Sequence, residues 1–296
     1  MILNVSGRTD VVAFYTKWFI NRLEEGFVDV RNPFYQKSVS RIYFHDVDLI
    51  FFCTKNPLPI IPYLPKIKKK MYFHITLTPY KKEIEPNVPF KKEIMLGIKK
   101  ISQLLGKENV VIRYDPVLIS PNYTIEYHIK AFTKICTELD GYVNKIVLSF
   151  LDEYKNVKKN KHILNYIELK EEDYRMIGTN FSKIAKEHHM VVHTCFEEHD
   201  LTEYGFIKDE CMSRMLAYQL TGKIYKEEWR ARKEKKCHCV SMVDIGVYNS
   251  CKHFCHYCYA NYDEKKVMDN ISQHDPNSSL LIGKLESDDI IKERYK

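Results

Sequence analysis

Val243-Asp244-Ile245-Gly246-Val247-Tyr248-Asn249-Ser250-Cys251-Lys252-His253-Phe254-Cys255-His256-Tyr257-Cys258 joins a short β-branched run to three cysteines. The run Val243–Val247 predicts a strand. The loop after it has the spacing C-x₃-C-x₂-C, with an aromatic residue just before the last cysteine. Three thiolates this close can grip three irons of a [4Fe–4S] cube and leave the fourth iron open to a substrate or cofactor, whereas a four-cysteine cluster usually only carries electrons. Zinc is the rival reading. It favours four ligands and paired C-x₂-C units, so His253 or His256 would have to complete the set.

Upstream, runs of the same kind recur, each leading into a helix-like segment. Ile2–Ser6, Leu49–Thr54, Tyr72–Leu77, Val110–Tyr114, Ile146–Phe150 and Val191–Thr194 are apolar on both faces, as strands covered on both sides should be. Val12–Glu25 places Phe14, Trp18, Ile20 and Leu23 near one face and stops at Gly26. Lys91–Leu105 stops at Gly106, and Thr124–Leu139 starts on a Thr cap. Glu171–His188 and Glu210–Leu220 complete the helices. Strand–helix alternation over the whole length predicts an α/β fold with a parallel sheet, a full or partial (β/α) TIM-like barrel. No Gly/Pro/Ser-rich linker or repeat divides the chain. Residues 1–261 are expected to form the barrel with the cysteine loop, and 262–296 an appendage packing on it.

The 296 residues suffice for one such barrel. Hydrophobic content of 45% with 29% charged residues suits a soluble protein with a sizeable core. No apolar run reaches the ~18 residues of a membrane span, and no signal peptide is apparent. A cytoplasmic protein without a membrane partner is expected. Nine cysteines, six of them in the last third, are too sparse for a secreted disulfide scaffold and point to metal or redox work. The net charge of +7 is compatible with an anionic partner. Lysine runs such as Lys68-Lys69-Lys70 read as solvated faces.

Active sites of α/β barrels collect at the C-terminal strand ends. Here those ends carry Arg8 and Asp10, Lys55, Arg113 and Asp115, Ser149 and Asp152, and Glu197. Singly, each has a bland reading: Asp10 and Asp152 as helix caps, Arg113 with Asp115 as a local ion pair. Together they predict one polar pocket facing the cysteine loop. Cys195, Cys211, Cys237 and Cys239 form a second set, which suits a closed [4Fe–4S] cluster acting as an electron relay. A zinc site, or unrelated thiols, are the alternatives. Cys53 and Cys136 read as core.

The cysteine run resembles the signature of the radical S-adenosylmethionine superfamily. Over nearly its full length the chain is similar to the domain of unknown function 1848 family, whose radical-SAM-like cysteines lie at the C-terminus. The carriers are Ser6-Gly7-Arg8-Thr9-Asp10, Arg31-Asn32-Pro33, Thr54-Lys55-Asn56-Pro57, Arg113-Tyr114-Asp115-Pro116, Ser149-Phe150, Thr194-Cys195-Phe196-Glu197, Cys237-His238-Cys239, Asp244-Ile245-Gly246-Val247-Tyr248 and the run Cys251–Ala260. The chain departs from the expected pattern at Cys53, where Trp is expected in relatives.

The resemblance implies a [4Fe–4S] cluster on Cys251, Cys255 and Cys258 with S-adenosylmethionine chelated to its open iron. It further implies reductive cleavage to a 5′-deoxyadenosyl radical that abstracts hydrogen from substrate, and a reducing partner such as flavodoxin or ferredoxin. Because the superfamily usually places its cysteine loop after the first strand, it also implies a circularly permuted barrel. On this reading Tyr257 lies beside the adenine. Arg8, Arg113 and Ser149 are candidates for the methionine carboxylate or ribose, since a carboxylate calls for guanidinium or hydroxyl donors. Asp10, Lys55, Asp115 and Glu197, again with Arg8, are candidates for substrate contact or proton transfer. The substrate, a small molecule or a nucleic acid, and the oligomeric state are left open. The competing expectation is a zinc- or iron–sulfur-stabilised module that binds nucleic acid through its basic surface without radical chemistry.

Overall fold

The computed structural model describes residues 1–195, 197–226 and 238–294. β1 (Ile2–Val5) leads into α1 (Val11–Phe14) and α2 (Thr16–Glu25), then into a hairpin of β2 (Phe27–Arg31) and β3 (Ser38–Tyr43). Next come β4 (Leu49–Thr54), β5 (Lys70–Thr76), α3 (Lys91–Leu105), β6 (Val110–Val117), α4 (Ile125–Leu139) and β7 (Lys145–Phe150). The short helices α5 (Lys155–Lys159) and α6 (Lys161–Leu164) precede α7 (Glu171–Glu187), β8 (Val191–Thr194) and β9 (Ile207–Lys208). α8 (Arg214–Thr221), β10 (Met242–Asp244), α9 (Glu264–Ser272) and β11 (Ile290–Glu293) finish the chain.

Eight strands form one parallel sheet in the order β10-β1-β4-β5-β6-β7-β8-β9. The fold is therefore α/β, as expected. The sheet is open, however: β9 and β10 are its two edges, and no pairing between them closes it among the described residues. From β1 to β9 the order never reverses, unlike that of a doubly wound sheet.

Alternation along the strands builds two different faces. Leu3 and Val5, Ile50 and Phe52, Phe73 and Ile75, Ile112 and Tyr114, and Ile146 and Leu148 point into the main core. There they meet Trp18, Phe19, Ile94, Ile98, Phe132 and Phe181 from the helices. The other face is not uniformly apolar, contrary to the sequence expectation. Ile2, Leu49, Phe51, Tyr72, Val111 and Val147 pack with Met212, Ala217 and Val240 in a second cluster, so the segment around α8 covers this face. Two residues further along the same strands stand Asn4, Cys53, His74, Arg113 and Ser149. One face thus changes from apolar to polar toward the C-terminal strand ends, which is what places polar groups at the rim.

Three segments differ from the sequence reading. The helix expected over Val12–Glu25 breaks at Tyr15 (φ −132°), whose hydroxyl donates to Ser250 O at 2.5 Å. The helix expected from Glu210 starts only at Arg214, capped by Ser213. Residues 262–294 pack mainly on the β2–β3 hairpin and α2. There β11 pairs parallel with β3, Arg31 grips both carboxylate oxygens of Asp289 (2.5 and 2.7 Å), and Trp18 Nε1 donates to Ser278 O. Among the described residues no helix is long and apolar enough to cross a membrane.

Candidate functional site

The cysteine loop follows β10 and is tied down from several sides. Phe254 takes the left-handed conformation (φ +53°), and Cys258 N–H donates to Cys255 O (3.0 Å), closing the second turn. Asn156 Nδ2 on α5 donates to Cys258 O and Asn261 O (2.9 Å each), and Asn160 Nδ2 donates to His256 O (2.7 Å). Burial raises the pKa of all three thiols, and Cys251 is pushed further by Asp10 and then by the neighbouring Cys258 and Cys255. Unliganded, they are neutral thiols; a bound metal is what makes such a group a thiolate. Cys258 Sγ already accepts the N–H of Ala260 (3.3 Å), and buried Asn261 Oδ1 has no partner among the described residues. The donor chemistry therefore fits a thiolate-bound group. Among the described residues, no three or more His, Cys, Asp or Glu side chains close about a single metal ion.

Asp10 is the pin between loop and sheet. Its Oδ1 caps α1 by accepting Ala13 N–H (2.9 Å), and its Oδ2 accepts Lys55 N–H (2.8 Å) and His253 Nε2 (2.9 Å). The cap reading is the observed one, and the same carboxylate also ties Lys55 and His253 together. Asp10→Ala removes a cap worth about 1 kcal/mol and orphans two further donors, so a loss of about 2–4 kcal/mol is expected. Urea unfolding measures it; a change within 0.5 kcal/mol contradicts the assignment.

Lys55 and Tyr257 converge on Glu85, which the sequence reading missed. Glu85, 1% exposed, accepts from Lys55 Nζ (2.8 Å), Thr78 Oγ1 (2.7 Å), Lys91 Nζ and Tyr257 Oη. Despite burial, the two ammonium groups hold its carboxyl down to about 2. Tyr257 is buried against Tyr80 (ring centroids 5.7 Å apart) with Lys55 Nζ over its ring at 5.2 Å. It is a wall residue beneath the loop.

Arg8 faces Asp244 at the end of β10. Its Nε reaches Asp244 Oδ1 (3.1 Å) and one NH₂ group donates to Asp244 O (2.6 Å). The same carboxylate accepts Ser6 Oγ, Asn4 Nδ2 and the Gly7 and Gly246 N–H groups. Asp244 thus stitches β10 to β1. The strand-end rule applied to β10 would have found it.

Further round the rim, Arg113 clamps Asp115 Oδ2 with Nε (2.9 Å) and a terminal nitrogen (2.5 Å), while Ser149 Oγ donates to Asp115 Oδ1 (2.5 Å). Arg113 also donates to Cys211 Sγ (2.9 Å), so its guanidinium bridges Asp115 and the second cysteine set. Glu197 accepts Phe150 N–H (2.8 Å); burial raises its pKa to about 8, helped by Asp115, Asp152 and Glu198. Asp115 lies within electrostatic reach of Lys55 and of Tyr259, whose hydroxyl donates to Gly7 O. Asp115 is therefore close enough to groups on both sides of the rim to influence their charge.

Of the second cysteine set, Cys195 and Cys211 stand with sulfurs 2.7 Å apart, and Cys239 hydrogen-bonds to both. Cys237 lies outside the described residues. Cys136 is core, whereas Cys53 sits on the polar face with Sγ 3.8 Å from Asn4 Oδ1.

The chain belongs to the domain of unknown function 1848 family, whose pattern matches residues 2–260. Comparison with proteins of curated function finds no match.

Proposed function

We propose that the chain is a radical S-adenosylmethionine enzyme on a partial, circularly permuted (β/α) barrel. Counted from β10, the sheet order becomes that of strands laid down one after another, with the cysteine loop following the first. The observation that carries the reading is this loop's place: it lies beside β1, on the same rim as Lys55, Asp115 and Glu197.

Cys251, Cys255 and Cys258 would hold the cluster. When bound, the cluster and S-adenosylmethionine supply reductive sulfonium cleavage and hydrogen abstraction from substrate. The chain's own residues do the rest. Lys55 keeps a positive charge beside Cys255. Tyr257 and Glu85 exclude water beneath the loop. Arg113 and Ser149 aim Asp115 into the mouth. Glu197 holds a proton at neutral pH and can donate it. Arg8, one edge of which is spent on Asp244, remains the candidate anion contact.

Anaerobic reconstitution should load about four irons per chain on the three-cysteine loop. After chemical reduction the protein should release 5′-deoxyadenosine from S-adenosylmethionine. Absence of iron, or cleavage undiminished when Cys251, Cys255 and Cys258 are all replaced by Ala, overturns the reading.

A further inference from the structure

We propose that Cys195 and Cys211 are a redox-active dithiol, which a peroxide closes to a disulfide and a thiol reductant reopens. The pair is separate from the cysteine loop and does not depend on the radical reading.

The fold brings together two thiols that lie 16 residues apart in the chain. Cys195 directly follows β8, and Cys211 lies shortly after β9. These strands pair parallel, His193 with Ile207 and Thr194 with Lys208, so both chain exits leave at the same end of the sheet. Asp209 N–H donates to Thr194 O (3.2 Å), which extends the pairing to the residue before Cys195. On the other side of Cys211, Val240 N–H donates to the carbonyl of fully buried Met212 at 3.0 Å. The segment carrying Cys211 is thus held on both flanks.

The two sulfurs stand 2.7 Å apart with no bond between them. A disulfide places its sulfurs about 2.05 Å apart, so closure asks for a shift of less than an ångström. Two sulfurs in contact suffice for this chemistry, whereas among the described residues no three His, Cys, Asp or Glu side chains close about one metal ion.

The surroundings give the two sulfurs different roles. Arg113 donates to Cys211 Sγ at 2.9 Å, and a guanidinium beside a sulfur favours the thiolate, the form that attacks. Cys211 is also the more open of the two: it is half-buried and Cys195 is buried. Cys211 is therefore the sulfur that meets the oxidant and Cys195 the one that resolves it, the arrangement of a redox-sensing pair. The Cys211 thiolate attacks one peroxide oxygen and the O–O bond breaks. Cys211 becomes a sulfenic acid, and the other oxygen takes up a proton and leaves as water. The Cys195 sulfur then attacks the Cys211 sulfur, the S–O bond breaks, and hydroxide leaves as water with the Cys195 proton. Both sulfurs are oxidised and one peroxide is reduced to two waters. Closure removes the negative charge from Cys211, and Arg113 also holds Asp115 Oδ2 (2.9 Å), so oxidation is felt at Asp115 through one side chain.

The test uses the full chain with Cys251, Cys255 and Cys258 replaced by Ala, so that the loop thiols do not compete for the oxidant. Hydrogen peroxide added to the reduced protein should remove two titratable thiols per chain. A proteolytic digest should then contain the Cys195 peptide linked to the Cys211 peptide, and dithiothreitol should restore both thiols. With Cys195→Ser in that background, dimedone should label Cys211 as the trapped sulfenic acid. The same digest of the oxidised wild-type chain gives the linkage without relying on a variant that folds. Linkage of either cysteine to Cys237 or Cys239 instead, or survival of both thiols in peroxide, overturns the proposal.

Discussion

Glu85→Ala is expected to destabilise the protein by about 3–5 kcal/mol, the cost of leaving a buried ion pair half removed. The carboxylate is 1% exposed and answers two ammonium groups, a threonine and a tyrosine at once. Without it, Lys55 and Lys91 lose the counter-charge that both ammonium groups share. The loss is a large fraction of the 5–15 kcal/mol that holds a typical domain together. It also reaches the cysteine loop, because the neighbouring backbone splints it: His256 N–H donates to Ile84 O and Asn87 N–H to His253 O.

The pH dependence gives a second reading of the same residue. The Glu85 carboxyl is depressed from 4.5 to about 2, so its stabilisation is present above pH 4.5 and lost as pH falls through 2. The span corresponds to about 3 kcal/mol. Glu85→Gln should flatten that acid limb of the stability curve. If urea-unfolding free energies of wild type and Glu85→Gln fall in parallel from pH 5 to pH 2, the carboxylate is not paired as described.

How much of this was legible in the sequence depended on whether the cause was local. β4 reads directly as Leu-Ile-Phe-Phe-Cys-Thr, because burial on both sides leaves an unbroken apolar run. α3 and α2 announce their ends with Gly106 and Gly26, both at positive φ. The β2–β3 hairpin does not read this way. Its buried Val28, Val39 and Ile42 alternate with Asp29 and Arg41, which are paired across the hairpin (2.9 Å) and so look like surface charge in one dimension. Tyr15 breaks a helix for a contact 235 residues away, which no window of sequence contains.

The site divides along the same line. Arg113, Asp115 and Ser149 lie in the C-terminal parts of β6 and β7, where a position rule finds them, and they do converge. Glu85 sits in the loop after β5, outside that rule, and only packing reveals it as the centre of four side chains. Barrel closure was beyond reach for a related reason. Whether an eighth strand meets the first depends on curvature summed over the whole sheet, which local propensity does not encode.

Glu197→Gln is expected to stabilise the protein above neutral pH, by up to about 4–5 kcal/mol at pH 9. Burial holds the carboxyl up at about 8, against 4.5 when exposed, with Asp115, Asp152 and Glu198 adding repulsion. A raised carboxyl favours the folded state only while it is neutral. Its contribution is complete below pH 4.5, declines as the unfolded chain ionises, and is gone once pH passes 8. Gln keeps an oxygen to accept the Phe150 N–H and carries no charge to bury. Wild type and variant should therefore match in stability at pH 4 and diverge steadily to pH 8. Over the same range the variant loses the transferable proton, so a reaction that draws on Glu197 slows while the fold gains stability. That opposition separates a group kept for chemistry from one kept for packing. Equal stability of the two proteins at pH 9 would mean that the carboxyl is not raised, so that Glu197 is already ionised in the fold at neutral pH and holds no proton for transfer.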